Sequence, residues 1–181
     1  MLSVYAGGMN NNLLTELLNF GTLVLGLVVV ACTVLWYTRY RTKVREVLTT
    51  YYTQLGFLIA TVSTLGSLYY SEVLAYAPCV LCWYQRIFMY PISILFIIAA
   101  VKRNNVYVRL NSIVLAVIGI VFSGYHYVLQ RMDTGAVACG TVGYTSSCSQ
   151  AFSVSYGYIT IPMMALTAFA AIILLGLINK D

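Results

Sequence analysis

Residues 78–101 read PCVLCWYQRIFMYPISILFIIAAV. From Trp83 to Val101 the run carries one charge, Arg86, and it approaches the roughly 18 to 20 residues that a membrane-spanning helix needs. In hydrocarbon every backbone amide must find its partner within its own segment, so such a run folds as a helix. Four more runs approach the same length: Leu17 to Tyr37, Tyr51 to Tyr70, Val106 to Leu129 and Tyr158 to Ile178. The first of these lacks the basic start and small-residue cleavage pattern of a secretory signal, so it is read as a fifth helix. The expected architecture is an all-α membrane protein.

Composition agrees, with 61% hydrophobic and 8% charged residues, far from the mix of a soluble domain. The net charge of +5 does not point to nucleic acid, because the basic residues cluster between apolar runs, where membrane orientation accounts for them. Arg39, Arg41, Lys43, Arg45, Lys102, Arg103, Arg109 and Lys180 all fall on one side when five helices are threaded in order. The positive-inside rule makes that side cytoplasmic, with the N-terminus, the Cys79 loop and the loop from Gln130 to Gly157 outside. Arg86 and Arg131 sit at the other end and need separate explanations. The outer loop is rich in Gly, Ser and Thr, which reads as irregular, accessible backbone.

Of five cysteines, Cys32 lies inside an apolar helix and reads as a small buried hydrophobe. The other four, Cys79, Cys82, Cys139 and Cys148, fall outside the membrane and allow three pairings. Two structural disulfides would be the plain reading, but a Cys79–Cys82 bond closes a very short ring and makes a poor staple. It is better suited to switching. Cys82, at the start of a helix, meets the positive end of its dipole, which favours the thiolate. Arg86 follows four residues later on the same face. It either snorkels to the headgroups or stabilises a thiolate or a carbonyl oxygen gaining charge, and the adjacent thiols favour the second. Zinc would require the loop pair, whose spacing is unlike a structural zinc knuckle, so no metal is expected. His126, the lone histidine, shares this boundary if the helices are neighbours, and a proton donor there would suit reduction of a carbonyl acceptor.

CVLCWYQRIFMYP at 79–91, GYHYVLQ at 124–130 and SCSQAFSVSYGYITIPMMALTAF at 147–169 together resemble the DsbB family of membrane thiol oxidoreductases, in particular its shorter BdbC-type members. The resemblance implies a four-helix transmembrane bundle over 49–181; the transmembrane helix and cytoplasmic basic loop of residues 1–48, read from the sequence itself, have no counterpart in that family pattern. It implies that a DsbA-like extracytoplasmic protein of thioredoxin fold attacks Cys139 of a Cys139–Cys148 disulfide. Cys148 would then reduce the Cys79–Cys82 bond at Cys79, leaving Cys82 to face a membrane quinone, menaquinone or ubiquinone, with Arg86 and His126 near its ring. Trp83, Tyr84 and Tyr90 are candidates to pack around that ring. Vitamin K epoxide reductases share the arrangement but place the loop pair before the C-x-x-C, and a non-catalytic scaffold with structural disulfides is the remaining alternative.

Overall fold

The computed structural model describes residues 13–37, 41–102, 105–132, 148 and 154–179. The helices are α1 Leu13–Trp36, α2 Arg41–Thr50, α3 Tyr52–Leu68, α4 Val80–Lys102, α5 Asn105–Met132 and α6 Ile161–Ile178. Four of them, α1, α4, α5 and α6, are long and apolar enough to cross a membrane. α3 has 17 residues, and a π-helical turn over Tyr69–Val73 continues it without a break, which gives it a reach of roughly 30 Å. The five expected runs are thus all helical.

One element departs from expectation. The basic segment read as a loop winds into α2. Its composition explains this, since Arg, Lys, Glu and Leu are good helix formers. The hydroxyls of Thr49 and Thr50 donate back to the carbonyls of Arg45 and Glu46, at 2.7 and 2.8 Å.

Helices α3, α4, α5 and α6 pack in a ring, each against the next and α6 back against α3, while α1 lies outside the ring against α6. The core inside the ring is built from Tyr52, Met89, Ile92, Phe96, Phe169 and Ile172 with alanines between them. In lipid, helices associate through close packing, so small residues at the contacts matter. A Cβ on Gly56 would run into the Phe96 ring, and one on Gly119 into the Phe169 ring. Both glycines therefore act as sockets for aromatic side chains. Tyr52 meets Phe96 edge to face, with centroids 5.5 Å apart.

The two ends of the bundle differ. At the basic end, Arg109 donates to the carbonyl of Asn179 at 2.9 Å, satisfying an orphan carbonyl where α6 stops. At the cysteine end, Arg131 donates to the Gly157 carbonyl at 2.7 Å and to the Tyr127 hydroxyl at 3.2 Å. That gives Arg131 its explanation: it ties the end of α5 to the turn that leads into α6. Two residues beyond the π turn, Ala75 has a left-handed φ of 54°, and Tyr76 stacks on Tyr70 at 6.1 Å. The chain then runs through Pro78 into the two thiols.

Candidate active site

Because α4 begins at Val80, Cys79 is the residue that caps it. Its carbonyl accepts from the amide of Trp83 at 3.1 Å, and its Sγ accepts from the amide of Cys82 at 3.4 Å. Sulfur here takes the place of the oxygen that usually satisfies an orphan N–H at a helix start. The sequence reading put the helix dipole at Cys82. In the structure its first effect falls on Cys79, because the helix starts between the two. The sulfurs are 3.1 Å apart, and both residues are free thiols, as is Cys32.

His126 comes from α5 and is 1% exposed. Gln85 donates its amide to Nδ1 at 3.0 Å, which favours the tautomer with the ring proton on Nε2, although the Gln130 amide nitrogen also lies 3.4 Å from Nε2. Nε2 lies 3.1 Å from the carbonyl of Cys148 and 3.7 Å from Cys79 Sγ. Donors therefore converge on Cys79: the Cys82 thiol first, then His126, then the Cys82 amide, and together they hold its thiol well below the ordinary range against the opposing effect of burial. Cys148 is buried beside Cys79 in a cluster with Leu81 and Leu129, and it is disulfide-bonded. Cys139 lies outside the described residues.

Arg86 does not reach for headgroups. It is 8% exposed, with Nε donating to Ser67 Oγ at 2.9 Å and a terminal nitrogen donating to the Ser67 carbonyl at 3.0 Å. Its guanidinium stacks over Trp83 at 5.3 Å. α3 thus clamps the charge against α4, which keeps a cation fixed inside an apolar wall.

Beside this clamp is a cavity of about 360 Å³, within the roughly 300 to 1,000 Å³ of small-molecule sites. Cys82, Gln85, Arg86 and Tyr90 of α4 line it, together with Tyr70 and with residues of α1, α3 and α6. The hydroxyls of Tyr70 and Tyr90 are buried with no hydrogen-bond partner among the described residues. Cys79 and His126 are not among the lining residues. The pair is therefore two-sided: Cys82 looks into the cavity, and Cys79 packs with His126 and Cys148. Of the three aromatics noted from sequence, Tyr90 lines the cavity, Trp83 lies under Arg86, and Tyr84 stacks on Phe122 at 4.8 Å.

Three donor atoms, from Cys79, Cys82 and His126, lie within 4.8 Å of one another. Structural zinc takes four protein ligands, and no fourth Cys, His, Asp or Glu joins them among the described residues. Gln85 and Ser67 were missed in the sequence. Gln85 could have been found, since it is three residues after Cys82 and shares its helix face. Ser67, nineteen positions from Arg86, carries no such signal.

The family profile "Disulfide bond formation protein DsbB" matches residues 49–179. The chain is 41% identical over 125 residues to the SPbeta prophage-derived disulfide bond formation protein B of Bacillus subtilis, covering 67% of this chain and 80% of that one. It is 42% identical over 126 residues to a probable disulfide formation protein C of Halalkalibacterium halodurans, covering 68% and 88%. A probable disulfide formation protein of Chlamydia caviae is 39% identical over 118 residues, covering 65% and 82%. No solved structure matches the chain. A multi-pass helical bundle with paired thiols at one end, matched over most of its length by these proteins, belongs to the DsbB family of disulfide bond formation proteins and works by thiol–disulfide exchange.

Proposed function

We propose that the chain reoxidises a reduced DsbA-like protein of thioredoxin fold outside the cytoplasm and passes the electrons to a membrane quinone, menaquinone or ubiquinone. On this reading residues 49–181 are the oxidoreductase, residues 1–48 are an extension, and the cysteine end faces out of the plasma membrane. The basic clusters at the opposite end support that orientation.

The partner's thiolate attacks Cys139 of a Cys139–Cys148 disulfide and releases Cys148. Cys148 attacks Cys79, and the Cys79–Cys82 bond breaks to leave Cys82 as a thiolate on the cavity. Attack at Cys79 is supported by burial of Cys148 in the same cluster. His126 places its proton between Cys79 Sγ and the Cys148 carbonyl, where it stabilises negative charge on whichever sulfur is reacting. Arg86 holds a positive charge one helical turn from Cys82, on the same cavity wall. The partner's second thiol then displaces Cys139 and the partner leaves oxidised, while Cys139 re-forms its bond to Cys148 and so frees Cys79. A bound quinone would take up the two electrons and two protons as Cys79 and Cys82 bond again. The lining fits such a group: apolar walls for the ring, with Arg86, Gln85 and the buried Tyr70 and Tyr90 hydroxyls, which have no partner among the described residues, as donors for its carbonyl oxygens.

The single observation that carries the reading is that Cys82, and not Cys79, opens on the cavity. The full chain reconstituted with a reduced DsbA-type protein should oxidise it when menaquinone or ubiquinone is added, and Cys82→Ser should stop this while still accumulating in membranes. Failure of the wild-type chain to oxidise the partner with either quinone would overturn the reading.

A further inference from the structure

Helix α1 lies wholly outside the region matched by the family, 49–179, yet it supplies one wall of the cavity. Leu17, Leu18, Gly21, Thr22 and Leu25 line it, spaced so that they form a single stripe along the helix. From Val24 on, α1 is almost wholly apolar and largely exposed, as a lipid-facing helix should be. Its one buried residue is polar: Asn19, 1% exposed, donates to Ser155 Oγ at 2.7 Å. A buried amide is costly unless it is bonded; the contact satisfies its N–H side, while its Oδ1 has no partner among the described residues. This one bond sets both the rotation and the height of α1 against the bundle. Gly26 packs on Thr167 of α6, and Leu18 packs on Gly66 of α3, so α1 bridges the two helices that flank the cavity. At Gly21, in the middle of the lining stripe, a Cβ would meet nothing within 4 Å.

We infer that α1 is an added wall of the acceptor site, held in register by the Asn19–Ser155 bond, and that the missing side chain at Gly21 sets the size of ring or isoprenoid chain the site admits. The inference rests on the quinone reading above. It makes α1 a specificity-determining element, where membrane anchorage alone would leave its cavity-facing stripe without consequence.

The test is calorimetric binding of short-chain menaquinone and ubiquinone analogues to the purified full chain, with Gly21→Phe and, as a lipid-facing control, Leu27→Phe, a position 63% exposed and away from the lining. Gly21→Phe should weaken binding of the preferred analogue about tenfold or more, while Leu27→Phe stays within about twofold of wild type. Thiol exchange with a reduced partner in the absence of quinone should be equal in all three proteins, which shows that the thiol end is intact. Should Gly21→Phe not accumulate, the smaller Gly21→Val carries the same test, with about threefold weakening expected. Unchanged affinity in the Gly21 variants, beside normal wild-type binding, overturns the role of α1 and leaves the quinone reading standing. Absence of binding by wild type overturns the quinone reading itself and this inference with it.

Discussion

Cys79 is a helix cap made of sulfur, and its position decides which thiol of the pair carries negative charge. The Cys82 thiol, His126 and the Cys82 amide all donate toward it, so the folded protein holds its pKa below the ordinary value. A depressed folded pKa stabilises the reduced fold fully above the ordinary thiol pKa, and that contribution is lost as pH falls through the lower, folded value. Alkylation of reduced Cys79 should accordingly stay level between pH 7 and pH 6, where an ordinary thiol of pKa about 8.5 loses about tenfold in thiolate. Iodoacetamide trapping followed by peptide mass analysis measures this, and a tenfold fall in rate over that interval would contradict it. The relation of Cys82, Gln85 and Arg86 was open to reading from spacing alone, because three- and four-residue intervals share a helix face. The contact of His126 with Cys79 was legible only as a condition, that α4 and α5 be neighbours. Ser67 was not legible at all, since its bond to Arg86 depends on how α3 is rotated.

Among the helices, those set by long apolar runs were plain in the sequence, because lipid leaves the backbone no alternative. What hydrophobicity could not reveal is which side of each helix packs. α6 is apolar all round, and its contacts are fixed by size: Gly119 of α5 receives Phe169, and Gly176 faces Ile113. In a free helix, Gly→Ala is favourable by about 1 kcal/mol. Here Gly119→Ala should instead destabilise by about 1 to 3 kcal/mol, since the added methyl overlaps a buried ring. A lower thermal midpoint in detergent is the expected result, while Gly21→Ala, which meets open space, should keep the midpoint level or raise it. α2 escaped the reading because its charges mark a membrane boundary as readily in a helix as in a loop.

For the molecule as a whole, the separation of a basic end from a cysteine end predicts how it sits in the membrane. Val154, 55% exposed at the cysteine end, and Tyr107, 70% exposed at the start of α5, report on the two sides. In intact cells a membrane-impermeant maleimide should label Val154→Cys, and should reach Tyr107→Cys only after permeabilisation. The reverse pattern would invert the topology and remove the proposed partner from reach. The division of labour between the sulfurs also belongs to this scale. Cys148 meets Cys79 on one side and the cavity meets Cys82 on the other, so the short C-x-x-C segment joins the buried Cys148 cluster to the apolar cavity.

The wide turn over Tyr69–Val73 has a consequence for how this end of the protein tolerates change in length. A π turn is what one surplus residue does to an α-helix, and each residue added or removed swings everything downstream by about 100°. Deleting one residue from Tyr69–Val73 would let the helix close into regular winding with Tyr76, Pro78 and the sulfurs beyond them on their present bearing, whereas a deletion from the regular winding of Tyr52–Leu68 would turn them by about that angle. The address of the thiols is thus written in the count of residues before them as well as in their identity, and a one-codon deletion within α3 would misdeliver them where one within the π turn would not.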